Sequence, residues 1–511
     1  MAEKYEVVVV GAGHNGLMAA AYLAKAGVNV CILENHSKVG GAVYTDELTI
    51  PGFKHDLCSA WHGNITPSPV LVKDELGLLS KFGLKYLYPE NLTGVIFDDG
   101  TMFKHFRDLD KTCESIATFS EHDAEAYRKF HDWSINMLEM MLMGMYNPPP
   151  SFGTQASMMD ASPEGRIMLR AQMLSAWDIC EEFFESDKLK IVISRYASEL
   201  MVNPFTKGTG LALFVFIPMI HKYGGGIPIG GSGQLSEALA KCIEHFGGTI
   251  KVSSTVKEFK LSGNDCTGVI LKNGEEIDAS KAVVSAINIR QMFPDMVPGA
   301  KLPDDFANGV KNLHHSNFMA FSQHLALNEV PDWKVGKAAE EHAWIEYAHT
   351  DLDEYKKLFR DMDDGIPVTS LDMSATLMPT KVDPSRAPEG KHTLYLYSFN
   401  PYFLKGGKNW DDIKQDVADK LLDNLKDVTT NMTDDNILGR AIYSPLDYER
   451  HNPALVAGDI NHFGGNDFQM AGMRPLSGWH NYRTPIDKLY LVGASTAPGP
   501  GVSGAGRAGV Q

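Results

Sequence analysis

Cysteine is scarce: Cys31, Cys58, Cys113, Cys180, Cys242 and Cys266 are the only ones in 511 residues, and none stands at CxxC or other metal-ligand spacing. This excludes a disulfide framework and a zinc centre as organising principles; no metal is expected, and the thiols fit a reducing compartment. Basic residues are also in deficit, with 47 Lys and Arg against 64 Asp and Glu and a formal net charge of −17. No Lys/Arg stripe interleaved with aromatics offsets it, so phosphate backbones would repel the chain and nucleic acid is not an expected partner. Long apolar runs are missing, none nearing the roughly 20 residues of a bilayer span. The first short run, Val7 to Val10, leads straight into glycines and leaves no room for a signal peptide. The expectation is a cytoplasmic protein, with a peripheral membrane contact as the variant. No Ser-centred elbow, HExxH pair or P-loop occurs, so hydrolase and kinase chemistry have no motif.

What is present is a globular composition, 44% hydrophobic and 22% charged, in a chain long enough for at least two structural units. Residues 5–27, YEVVVVGAGHNGLMAAAYLAKAG, read as a buried strand, a glycine turn and an Ala-rich helix stopped by Gly27, with a second strand over 28–33 ending at Glu34. In such a βαβ unit Gly11 permits the tight turn, Gly13 lets the backbone approach a pyrophosphate, and Gly16 lets helix and strand pack closely. The helix amino terminus, at His14 and Asn15, offers free N–H groups to phosphates. Glu34, at about the expected distance of 20 residues, would accept hydrogen bonds from a ribose and repel a 2′-phosphate, with Asn35 beside it.

This unit alone does not separate NAD from FAD. The paired glycines Gly40 and Gly41, followed by Ala42 and Val43, would let the chain pass against a cofactor. Residues 488–509 contain a strand, a Gly/Pro loop and a helix start. A helix amino terminus near Val502 and Ser503 would favour the electron-rich edge of a reduced isoalloxazine. GAGHNGL, the following acid and VGG, and the carboxy-terminal LVGASTAPGPGVSGAGRAGV together resemble the phytoene-desaturase-like branch of FAD-dependent oxidoreductases, which includes carotenoid desaturases, isomerases and related flavin dehydrogenases.

The resemblance implies FAD as cofactor and an α/β fold: a Rossmann-type FAD-binding domain of glutathione-reductase-like or amine-oxidase-like kind, with an interleaved α+β substrate domain. It places residues 1–75, 226–290 and 480–511 in the first and 76–225 and 291–479 in the second. It implies that residues 51–62 run along the flavin, bringing Trp61, His62 and Gly63 to the cofactor. Val256 would lie near the adenine, Ala286 near the pyrophosphate, and Gly493, Ala494 and Gly501 on the carboxy-terminal loop. Two departures stand out: Ala42 occupies a place where the family often carries Arg, and the chain stops at Gln511 almost as soon as its last helix would begin.

Between the ends, residues 84–107 and 317–400 alternate as strands do, residues 114–222 read as helical, and Asn147-Pro-Pro-Pro-Ser151 breaks that helical stretch. The Met-dense residues 137–146 fit core filling or a pliable surface for an apolar ligand or lipid. His62, Asp56 and Tyr223 are the candidates for catalysis, whereas the polar run Asp447 to His451 reads as a solvated face. The expected activity is desaturation of an apolar isoprenoid or alicyclic substrate by hydride transfer to flavin N5. No second dinucleotide motif exists for a nicotinamide, so electrons would leave to oxygen, a quinone or another protein. Redox-neutral isomerisation or hydration, amine oxidation and a non-enzymatic electron-relay role stand as alternatives; oligomerisation is open.

Overall fold

Four consecutive valines suit a strand covered on both faces, because β-branched side chains pack well on a pleated surface. In the computed structural model, which describes residues 3–502, they end strand β1 (Glu3–Val10). Val7 and Val9 enter one core while Val8 and Val10 enter another on the opposite face. Helix α1 (His14–Lys25) follows, its small alanines letting it lie close to the sheet, and Gly27 ends it at φ 82. Strand β2 (Val30–Leu33) pairs parallel with β1, two residues shorter than the spacing predicts.

The first sheet has seven strands. Its path runs Val256–Ser262, Asp265–Leu271, Glu276–Ser285, β1, β2 and Thr249–Lys251, and Leu489–Leu491 adds to Glu276–Ser285. Residues near both ends of the chain are therefore one strand apart. The strand expected over 281–286 begins earlier, at Glu276, because Asn273-Gly274 turns the chain back on its neighbour.

Residues Leu109–Ala117 through Leu211–Tyr223 are helical as expected. The 26-residue helix Glu121–Tyr146 stops at Asn147, before the prolines. Within it Met137, Leu138 and Leu142 are buried while Met140 and Met143 are exposed, so the Met-dense stretch serves core and surface alike.

A second seven-stranded sheet runs Ile437–Tyr443, Met319–Leu327, His392–Asn400, Ala375–Leu377, Trp344–Ala348, Asn91–Phe97 and Met102–Phe106. All nine residues of Met319–Leu327 are buried. Phe321 and Leu325 face helix Trp410–Asp427, while Ser322 reaches Tyr448 Oη at 2.7 Å on the other side. The strand-like reading of 317–400 fails at Leu352–Asp363, which is a helix. There Tyr355, Phe359 and Met362 are buried at helical spacing and Asp351 caps the Asp353 N–H at 2.8 Å. Two further strands, Tyr86–Leu87 and Ile227–Pro228, pair in a small separate ladder.

Candidate active site

The β1–α1 turn is built for close approach. Gly11 has φ 94 and its N–H bonds to Leu33 O at 2.8 Å. A Cβ on Gly16 would overlap the Gly11 carbonyl, so only glycine lets α1 start here. Gly13 is the N-cap, with no side chain to satisfy the free N–H groups. Gly40 bridges Gly13 and donates its N–H to Ala12 O at 2.9 Å, and a Cβ on Gly41 would stand 2.9 Å from Gly13 Cα. Glu34 accepts from Ala12 N–H and His36 N–H, each at 2.8 Å. Burial raises its pKa, while those two donors pull it down.

These segments ring a crevice of about 420 Å³. Of the residues singled out from sequence, Gly11, Gly13, His14, Asn15, Gly16 and Glu34 line it. So do Asn35, Gly41, Ala42, Val256, Ala286 and Ala494. Gly40, Val43, Trp61, His62, Gly63, Gly493, Gly501 and Val502 do not. Val43 and Val502 are buried in the core beneath α1, Gly493 abuts Asn15, and Gly501 abuts Asn64. Ser503 and the helix expected after it lie outside the described residues.

At the end near His14, polar atoms are buried without partners. His14 Nε2 and His62 Nε2 make no hydrogen bond, although His62 Nδ1 is 2.8 Å from Tyr86 Oη. Burial pushes His14 down to about 4 and His62 to about 3, so both rings are neutral at physiological pH. His462 joins them, its Nδ1 2.8 Å from Ser495 Oγ on the carboxy-terminal loop. A glycine-lined cradle at a helix amino terminus, an acid at the second strand and two orphaned imidazole nitrogens fit a flavin dinucleotide.

The other catalytic candidates are placed differently. Asp56 is locked: Oδ1 accepts from Thr45 Oγ1 at 2.5 Å and Ser232 N–H at 2.7 Å, and Oδ2 pairs with Arg386. Arg386, fully buried, also donates to Pro228 O at 2.9 Å and pairs with Asp383 at 3.1 Å. Both carboxylate oxygens of Asp56 are thus committed to joining three stretches of chain, not to a substrate. Tyr223 ends its helix under the Lys222 ammonium and packs with Met219 and Tyr146, away from the crevice lining. Trp61 is wedged against Gly225, where any Cβ would collide with the indole.

Sequence reasoning missed several wall residues. Tyr44, His36 and His451 close one side of the crevice, their ring centroids 5.2–5.6 Å apart. His451 ends helix Pro445–His451, the run read as a solvated face, and no local signal reveals that Asn452 and Pro453 also border the cavity.

The family described as flavin containing amine oxidoreductase matches residues 16–511. The Rattus norvegicus protein named pyridine nucleotide-disulfide oxidoreductase domain-containing protein 2 is 29% identical over 98% of this chain and 92% of its own length. A limonene dehydrogenase chain of Castellaniella defragrans is 26% identical, covering 97% and 91%. The lycopene-forming phytoene desaturase of a Paracoccus species is 24% identical, covering 97% and 94%. Among solved structures an oxidoreductase from Methanosarcina mazei superimposes with a TM-score of 0.64 at 18% identity, covering 99% and 98%. No helix among the described residues is long and apolar enough to cross a membrane. With the crevice shaped for such a cofactor and the match running through nearly the whole chain, this protein belongs to the flavin-containing amine oxidoreductase family and is an FAD-dependent oxidoreductase.

Proposed function

We propose that this enzyme dehydrogenates an apolar substrate of isoprenoid or alicyclic type and passes the electrons to a separate acceptor. The observation that carries the reading is the surface packed against residues 57–62. Ala60 meets Ala375, Leu377 and Tyr395, flanked by Trp344 and Tyr397, and Trp61 touches Trp344 edge-on at 5.4 Å. Apolar surface of this kind matches a hydrocarbon by dispersion, and the buried carboxylate beside it, Glu346, which accepts from Trp344 Nε1 at 3.1 Å, is already paired with Arg195 at 3.2 Å and so is not offered to a substrate ammonium. Two relatives named for terpene hydrocarbons, limonene and phytoene, support the same class.

When bound, FAD supplies a two-electron acceptor for a hydride equivalent. Glu34 would hold the ribose, and the N–H groups of the first turn of α1 the pyrophosphate. His62 keeps Nδ1 on Tyr86 and its ring is neutral, so its unpartnered Nε2 would meet the bound group through a hydrogen bond and not through a titrating proton.

Anaerobic addition of limonene or phytoene to FAD-loaded enzyme, with the visible flavin band followed, tests the proposal. Bleaching by the terpenes and none by putrescine is expected. Bleaching by amines alone overturns the reading. Conversion of the terpene with the band fully restored and no acceptor consumed assigns redox-neutral chemistry instead.

A further inference from the structure

A second cavity, about 630 Å³, opens beside the first sheet. Phe293, Leu302, Val310 and Leu313 give it apolar walls. Its charged lining is of one sign: Arg290 and Lys311, together with His315, and no Asp or Glu. In a chain with a net charge of −17 that segregation is a feature to be explained.

Arg290 sharpens the point. Its Nη1 lies 2.8 and 2.7 Å from the two ring nitrogens of His315. Burial and the adjacent guanidinium push His315 down to about 4, so this ring is neutral and offers no countercharge. Arg290 Nε is buried without a partner. A buried carboxylate, Asp459, stands 4.0 Å from that ring, and its single charge acts on Arg290 and also on the buried Arg474, so one acid serves two guanidinium groups. It accepts from Ser316 N–H at 2.8 Å, Ser316 Oγ at 2.9 Å and Asn461 N–H at 3.0 Å. Among the described residues no acid forms an ion pair with Arg290 or with Lys311. A half-buried cation that touches no acid and only shares a carboxylate with a second arginine favours a ligand that brings its own negative charge. A guanidinium N–H gives a carboxylate a charge-assisted hydrogen bond, and the apolar walls call for a hydrocarbon body behind it.

We propose that this cleft is a second small-molecule site that binds an aliphatic or alicyclic carboxylate, its anion on Arg290 with Lys311 at the rim and its apolar body against Phe293, Leu302 and Val310. The short helix Ile289–Met292 stands between the two cavities: Gln291 lines the cofactor crevice and Arg290 lines the cleft. Occupancy of one therefore bears on a wall of the other.

Calorimetric titration of the FAD-loaded enzyme with decanoate, decanol and inorganic phosphate tests this. Decanoate is expected to bind, with decanol and phosphate each about tenfold weaker or more, since the charged hydrogen bonds and the apolar contacts are both needed. Arg290→Gln should weaken decanoate about tenfold or more, with the bound flavin spectrum checking that the variant is folded. Lys311→Gln, at an exposed position on the rim, should weaken it several-fold, and added salt should erase that difference. Decanol binding as tightly as decanoate, phosphate competing as an equal, or decanoate indifferent to both substitutions overturns the proposal.

Discussion

Arg386 is the cation on which two buried carboxylates depend, and Arg386→Met isolates that dependence. The side chains of Asp56 and Asp383 are 1% and 3% exposed, and Arg386 is their shared ion-pair partner. Methionine fills much of the same volume but leaves both acids without a cation, for which about 3–5 kcal/mol is the usual cost of breaking a buried pair. With an unfolding entropy of about 2.1 cal/mol/K per residue and 511 residues unfolding together, the melting temperature should fall by roughly 3–5 °C. The pH dependence gives an independent signature. Burial pushes Asp383 up, but hydrogen bonds from Ser385, Gly230 N–H and Arg386 outweigh it and hold the carboxyl below its ordinary value. A depressed carboxylate stabilises the fold above its unfolded pKa, near 3.9, and that stabilisation is lost as pH falls through the folded value. Wild type should therefore lose stability on acidification below about pH 4, while the variant, relieved of buried negative charge by protonation, should lose less. Thermal melts of the holoenzyme at neutral and acid pH measure both effects. A variant that melts with wild type at neutral pH, or a gap that widens on acidification, refutes the reasoning.

Three other outcomes are expected. Glu34→Ala removes the acceptor of the Ala12 and His36 N–H groups and should weaken FAD about ten- to hundredfold, read by flavin fluorescence during titration of apoprotein. Gly41→Ala places a Cβ 2.9 Å from Gly13 Cα at a φ of 59 and should cost about 1–3 kcal/mol, seen as a lower urea midpoint and poor flavin retention. His349, bonded first to Asp372 and then to Asp98, is raised to about 9. Its contribution is complete below about pH 6.5 and lost as pH rises through about 9. His349→Gln should flatten the wild-type decline in melting temperature across that window, modestly, because the ring is 38% exposed.

The amino-terminal half of the crevice is legible from residues 5–41 because its logic is local: strand, turn, helix and acid follow one another within a few dozen positions. Asp56 shows the opposite case. A carboxylate on a segment expected to skirt the flavin reads as chemistry until Arg386, 330 positions away, is brought onto it. The same distance hides the crevice walls at His451 and His462, whose neighbours are chosen by the second sheet and the carboxy-terminal loop. Helix Leu352–Asp363 is legible in principle, since Tyr355, Phe359 and Met362 keep helical spacing. The strand pattern on either side, at Met319–Leu327 and His392–Asn400, masks it.

The pairing of Leu489–Leu491 with Val283–Ser285 sets an order of events during synthesis. A ribosome must pass residue 488 before the first sheet gains the strand Leu489–Leu491, and all seven strands of the second sheet are made before it. Nascent chains would expose an unfinished sheet edge throughout that interval, a hazard chaperones exist to cover. Loading of the prosthetic group would then wait for residues 489–491, so scarcity of riboflavin should show itself as accumulated apoprotein and not as shortened products.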